Sequence, residues 1–343
     1  MEREEARSTG HHYVDAEAVG LAELATSSRT SGELLAGVAQ RLLDFSGLQP
    51  GVLLIAGSMP AGDVVEACAA LGALGWHVRA GHLPLRRARL VKSAGELDEV
   101  RHAAKGTCAA FRAIAETLRS AAIGEGGELW LGGEPLTVQR LRGEIARVLA
   151  TFGLEQPSGS IVAPGAEGAV PHNAGTAERR LLAEESLVVD LFPKGLLYAD
   201  CTRTFCVGRA PEALARAHGA VLEALRWSLD QCEPGKRGWA LQEGVCELLS
   251  AEGYPTPITE PGTLRGYVHG LGHGVGYELH ELPHFRDLED SDGELQEGAV
   301  VTLEPGLYDE AAGYAVRLED LVVVGQPNEV LTDLPYALDP RAW

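Results

Sequence analysis

Four apolar runs in the second half of the chain each carry a carboxylate: Asp190 within 187–192, Asp200 within 197–205, Glu304 closing 300–304, and Glu319 within 314–324. Runs of this length and composition read as buried strands. Stripping water from an unpaired carboxylate costs several kcal/mol, so acidic side chains are seldom buried without a partner. One such residue is explained by a salt bridge. Four require a fold that brings distant strands together around positive charge. If they converge, two carboxylates ~4 Å apart repel by about 4 kcal/mol at an effective dielectric near 20, and without a cation they would partly hold protons.

Histidine is concentrated between two of these runs. Four of the eleven histidines fall between positions 269 and 284, within and just after Tyr267-Val-His269-Gly-Leu-Gly-His273-Gly-Val-Gly-Tyr-Glu-Leu-His280-Glu281. The glycines at 270, 272, 274 and 276 admit conformations that a β-carbon forbids and let another strand or a ligand approach closely. Taken alone, this is a glycine-rich loop with solvated histidines. Beside four carboxylates, one imidazole completes an oxygen-rich, nitrogen-poor site suited to manganese, cobalt or zinc. Two divalent ions would balance the four acids. A metal pair roughly 3.5–4 Å apart can bridge a water, lower its pKa toward about 7 and polarise a carbonyl, which is machinery for hydrolysis.

The rest of the composition narrows the class. Twenty-nine basic against 49 acidic residues give a net charge of −20, which disfavours nucleic acid and anionic membranes as partners. Acidity on this scale also serves solubility alone. The sequence shows no run of about 18 apolar residues and no basic, apolar leader, so a cytoplasmic location is expected. The six cysteines, at 68, 108, 201, 206, 232 and 246, form no CxxC pair, which fits reduced thiols.

The polar segment 1–15 is expected to fray. Two helical segments over 16–47, a buried strand over 51–57, a helix over 63–74 and a strand over 76–80 make a small N-terminal α/β domain, taken as residues 1–92. The 57–62 turn lacks the spacing of a nucleotide-binding loop. Ser93 and Glu96 form a capping box, and Leu97, Val100, Ala104, Phe111, Ile114 and Leu118 then repeat at helical spacing. That helix opens the second domain, 93–343. A helix over 136–152, strands over 160–163, 187–192 and 197–205, helices over 211–231 and 238–251, and the late strands make it α+β.

The residues match a known family. Val170-Pro-His172, Val189-Asp190 with 198–205, His269 to Gly276 with His280-Glu281, Thr302 to Tyr308, and Arg317-Leu-Glu319-Asp320 resemble the pita-bread metallopeptidases, the group of methionine aminopeptidase, prolidase and aminopeptidase P. The resemblance covers about residue 90 to the C-terminus. It implies a pita-bread (creatinase/aminopeptidase) catalytic domain with two divalent metal ions, manganese first, on Asp190, Asp200, His273, Glu304 and Glu319. Asp200 and Glu319 would bridge the ions. It further implies His172 and His280 at the scissile peptide, His269 as a further active-site histidine, and Glu304 as acceptor of the attacking water's proton. The 15-residue spacing from Glu304 to Glu319 looks like the Xaa-Pro branch, so the expected substrates are proline-containing peptides and the expected assembly is a homodimer.

Three departures from the family are visible: a ten-position span from Asp190 to Asp200, His284 where many prolidases carry an arginine, and a short N-terminal domain. The last two leave dipeptides and longer peptides both open. Competing readings are a non-catalytic binding module on the same fold, methionine-aminopeptidase-like activity, and creatinase-like metal-free hydrolysis. A further rival is a zinc protease built on His280-Glu281-Leu-Pro-His284, which would need both histidines on one helix face, where Pro283 stands in the way. Arg317 reads as a partner for a carboxylate.

Overall fold

The computed structural model describes residues 14–57, 59–287 and 293–343, so the expected N-terminal fraying up to residue 13, and Ser58 of the 57–62 turn, lie outside the described residues. The chain separates into two compact units, divided between Leu85 and Arg86.

In the first unit, α1 (Leu21–Ser27), α2 (Ser31–Phe45), β1 (Val52–Ile55), α3 (Ala61–Ala73) and β2 (His77–Ala80) follow in order, with β1 and β2 parallel. The Thr30 side chain caps α2 by accepting from the Glu33 backbone N–H. Ala36, Ala67, Leu71 and Trp76 make a small core, against which Leu53 and Ile55 pack. The sequence reads β1 as buried, but Val52 and Leu54 are 60% and 54% exposed. Only one face of this two-stranded sheet meets the helices, and strand alternation sends every second residue to the other face.

The division falls inside α4 (His82–Ala88), earlier than the break at 92 read from the sequence. The reason lies in the contacts of residues 86–92, which belong to the second unit. The Lys92 backbone donates to Gly298 O at 3.0 Å and its ammonium pairs with Glu281 at 3.0 Å, both groups buried.

The second unit opens on α5 (Ala94–Arg119), whose capping box at Ser93 and Glu96 is formed. Its apolar face, with Val100, Phe111, Ile114 and Leu118, is buried in the main core. A three-stranded meander, β3 (Ala122–Ile123), β4 (Leu129–Leu131) and β5 (Glu134–Pro135), occupies the glycine-rich stretch that the sequence reads as punctuation, and α6 (Val138–Thr151) follows. Gly153 ends α6 at φ 67°, where a β-carbon would be strained.

Two sheets carry the acidic runs. The first is β6 (Ile161–Pro164), β7 (Leu187–Leu191) and β8 (Cys201–Phe205), all antiparallel, with Asp190 opposite Thr202. After α7 (Glu212–Gln231) and α8 (Gly238–Ala251) comes a five-stranded sheet. Its order is β10 (Glu281–His284), β9 (His273–Gly274), β11 (Val300–Leu303), β14 (Asp320–Val323) and β15 (Glu329–Val330). A separate hairpin joins β12 (Gly306–Asp309) to β13 (Tyr314–Arg317).

The 314–324 run is therefore two strands in two sheets. The break falls at Leu318 and Glu319, where Leu318 N–H donates to Pro305 O at 3.3 Å and Glu319 N–H to Thr202 O at 3.0 Å. That second bond ties Glu319 to β8. The glycines around β9 serve close approach: a β-carbon on Gly272 would collide with Thr302 O, and one on Gly274 with Leu282 O, while neither glycine has positive φ.

Candidate metal centre

Asp200, His273 and Glu319, from three segments far apart in sequence, offer ligand atoms that all lie within 4.8 Å of one another. His273 Nε2 is 3.8 Å from Asp200 Oδ2 and 3.4 Å from Glu304 Oε1. Asp190 joins them from β7. Together with His172, His269 and His280, these five residues line one cavity of 640 Å³.

The electrostatics of the group call for a cation. Burial, then Glu319, Asp190 and Glu304, push the Asp200 carboxyl well above its usual value; burial, then Glu304 and Asp190, do the same to Glu319. Glu304 is pushed up to about 8, chiefly by burial. Burial and the neighbouring His280 push His273 down to about 3, so its imidazole is neutral. Its Nδ1 sits 3.0 Å from Gly274 O, and a carbonyl only accepts, so Nδ1 carries the proton. The bare Nε2 lone pair thus faces carboxylate oxygens. Asp190 Oδ1 and Asp200 Oδ1 are buried without a hydrogen-bond partner among the described residues. Acceptors facing acceptors, with orphaned oxygens beside them, fit divalent ions, which take O and N ligands and bind the deprotonated forms.

One residue holds much of this set in place. Arg317 Nη2 donates to Asp190 Oδ2 at 2.7 Å, and its Nε donates to Thr202 Oγ1 at 3.1 Å. Thr202 in turn donates to Glu319 Oε2 at 2.7 Å. Burial works against the Arg317 charge, yet Tyr308, Asp190 and Glu304 more than restore it. The Arg317 Nη1 also donates to the Tyr308 hydroxyl at 2.8 Å, and that hydroxyl lies 2.8 Å from His269 Nε2.

The histidines differ in freedom. His269 Nδ1 lies 2.8 Å from Gly270 O, so Nδ1 donates and Nε2 accepts from Tyr308: both nitrogens are used within the protein. Burial, then Arg317, push it down to about 4. His280 packs its ring edge-on against His273 at 4.3 Å between centroids, and burial lowers its pKa. His172 is exposed at the cavity wall.

The zinc-protease reading of 280–284 is overturned. Glu281–His284 is a strand, so His280 and His284 do not share a helix face. His284 Nε2 lies 2.7 Å from Arg86 Nη2, a donor only, which occupies that lone pair. Glu281 is engaged by Lys92.

Comparison with known proteins agrees with this geometry. The description of metallopeptidase family M24 matches residues 98–326. The chain belongs to that family. It is 33% identical over 177 residues to the Xaa-Pro dipeptidase of Pyrococcus furiosus, covering 50% of this chain and 46% of that protein. It is 29% identical over 249 residues to the Xaa-Pro dipeptidase of Pyrococcus horikoshii, covering 70% of this chain and 61% of that one. It thus spans less than two thirds of the length of either relative. The solved prolidase from Pyrococcus horikoshii OT3 superposes with a TM-score of 0.69 at 26% identity, covering 84% of this chain and 76% of that one. The α+β pita-bread architecture expected from the motifs is the one present.

Several supports of this M24 site carry no assigned role in the sequence reading. Arg203 is fully buried, pairs with Asp320 at 2.7 Å, and bonds to the carbonyls of Thr332 and Pro335. Asp320 also accepts from Thr332 at 2.8 Å and from the Tyr336 hydroxyl at 2.5 Å. Asp320 follows Glu319 in sequence, and its pairing with Arg203 fastens β14 to β8. Lys92 and Tyr308 were likewise unassigned. Only an apolar run interrupted by a basic residue, as at Arg203, signalled any of them.

Proposed function

We propose that this chain is a metal-dependent exopeptidase that hydrolyses Xaa-Pro bonds with two divalent ions held by Asp190, Asp200, His273, Glu304 and Glu319. The observation that carries the reading is that Asp200, His273 and Glu319 offer ligand atoms within 4.8 Å of one another, with Glu304 beside His273 and Asp190 lining the same histidine-rich cavity. The names of the relatives supply the substrate class. Manganese, cobalt and zinc all suit the donor set. Bound there, such ions supply Lewis acidity, bringing a water's pKa toward about 7 and polarising the scissile carbonyl.

The protein's own groups do the rest. The bond before proline is a tertiary amide with no N–H, and its nitrogen must gain a proton to leave. Glu304, on the cavity wall beside His273, takes the water's proton on a carboxylate oxygen and passes it to that nitrogen. In this reading His172 and His280, which line the cavity, hydrogen-bond the developing oxyanion. His269, with both nitrogens engaged, positions Tyr308 and Arg317 rather than touching substrate.

Arg286 bears on substrate length. Among the described residues lining the cavity, the arginines are Arg286 and Arg317, and Arg317 is bound to Asp190. Arg286 is exposed, with no ion pair to a described carboxylate. It is available for the free carboxylate of a short peptide, which favours dipeptides. The same reading takes the chain as a cytoplasmic homodimer.

The test is a panel of Xaa-Pro dipeptides, Xaa-Pro tripeptides and Xaa-Ala controls, assayed with metal-stripped protein reloaded with each ion. Cleavage of the Xaa-Pro members, abolished by Glu304→Gln, is expected. Absence of turnover with every metal would leave a binding module on this fold.

A further inference from the structure

On the other side of Tyr308 lies a second, smaller cavity of 160 Å³, walled by α7, the segments 253–255 and 265–266, and the β12–β13 hairpin. Roughly five waters would fill it at about 30 Å³ each. Arg216 and Arg265 both line it, as do Tyr254, Tyr314 and Asp309.

Two features of this cavity bear on what it could hold. Neither guanidinium forms an ion pair with any carboxylate among the described residues, although the chain carries 49 acidic residues against 29 basic ones. Other arginines of the same unit take up such partners, as Arg101 does with Glu329 and Arg179 with Glu185. The Tyr254 hydroxyl is the second feature: it is buried with no hydrogen-bond partner among the described residues, a state that costs about 1–3 kcal/mol unless something fills it. The Arg216 guanidinium stands 6.0 Å from the Tyr254 ring centroid. Burial, then Tyr254 and Asp309, push the Tyr314 hydroxyl up, and Arg216 and Arg265 pull against that shift. Asp309 is partly used, since Oδ1 accepts from Ala312 N–H at 2.9 Å.

The segment that presents Arg265 is held in position. Thr263 Oγ1 bonds to both the N–H and the carbonyl of Arg265, at 3.2 and 2.8 Å. Gly266 exchanges backbone hydrogen bonds with Tyr308 at 2.8 and 3.0 Å. Gly266 has φ 81°, and a β-carbon there would strike Pro255 O. Two fixed guanidinium-bearing elements and an unfilled phenol donor make a receptor for negative charge.

We infer that this cavity binds a small oxyanion, the size of phosphate or a short dicarboxylate, held by Arg216, Arg265 and the Tyr254 hydroxyl. The site is separate from the metal cavity and stands whether or not that cavity hydrolyses peptides. An anion there would tie α7 to the segments that carry Tyr254 and Arg265, stabilising the folded protein by mass action.

The experiment uses the full chain loaded with manganese and titrated calorimetrically with inorganic phosphate and, separately, with succinate at constant ionic strength. Saturable one-to-one binding with a Kd of about 1 mM or tighter is expected for at least one of them, accompanied by a rise in melting temperature. The tighter of the two identifies the source of the oxyanion. The double variant Arg216→Ala, Arg265→Ala should weaken binding by about tenfold or more. Tyr254→Phe should weaken it several-fold while leaving the unliganded melting temperature unchanged or higher, and it decides the matter if the double variant fails to fold. Binding that survives intact in the folded variants would place the anion in the metal cavity and overturn the inference, as would the absence of saturable binding of both anions.

Discussion

Stripping the divalent metal should give this protein a stability that falls as pH rises from about 6.5 to about 8. Glu304 is pushed from an ordinary 4.5 up to about 8 in the folded protein, chiefly by burial. In the unfolded chain the same carboxyl is ionised throughout that window, so the folded state holds the extra proton. A group raised on folding contributes stability that is full below its unfolded pKa and is lost as pH climbs through its folded pKa. At ~1.4 kcal/mol per unit for each extra proton, Glu304 alone accounts for roughly 2 kcal/mol across the window. Asp200 and Glu319, raised well above their usual values, act with the same sign. His273 and His269 are pushed down from 6.5, to about 3 and about 4. Their contribution is present above about 6.5 and lost only below it, so it does not oppose the carboxyls in this window. For a unit of this size, ~2 kcal/mol moves the melting temperature by about 5 °C. The assay is a set of thermal melts of chelator-treated and manganese-loaded protein at closely spaced pH values. The loaded protein should show the opposite slope or none, because its ligands are already ionised and metal affinity rises with pH. A chelated protein whose melting temperature stays level or climbs over this range would refute the account of the site.

Other consequences are simpler to check. Asp320→Ala leaves the Arg203 charge buried and unpaired, and should lower unfolding free energy by about 3–5 kcal/mol in denaturant titrations, with much smaller loss for an exposed pair such as Arg341 and Asp339. Arg286→Leu should raise KM for Xaa-Pro dipeptides by about tenfold, worth ~1.4 kcal/mol, while leaving kcat and the KM of C-terminally amidated peptides nearly unchanged; equal effects on both peptide classes would remove Arg286 from substrate binding. His284→Ala should keep its full complement of bound metal by elemental analysis, and loss of all metal would restore the zinc-protease reading.

What the sequence determined by itself is the part that residue type and local spacing encode. A carboxylate in an apolar run is conspicuous wherever it stands, which is why Asp190, Asp200, Glu304 and Glu319 could be picked out before any fold was known. The capping box at Ser93 and the apolar face of α5 are local too, and both are present. The tertiary structure alone decided how those pieces meet. Arg203 finds Asp320 across 117 positions, Lys92 finds Glu281 across 189, and Arg317 finds Asp190 across 127. No periodicity announces such pairs, because their energy arises only when burial removes the water that would otherwise serve each charge equally well. The split of 314–324 into two strands has the same origin. Its composition favours one continuous strand, but Glu319 N–H finds its acceptor on β8, and the chain turns there to make that bond.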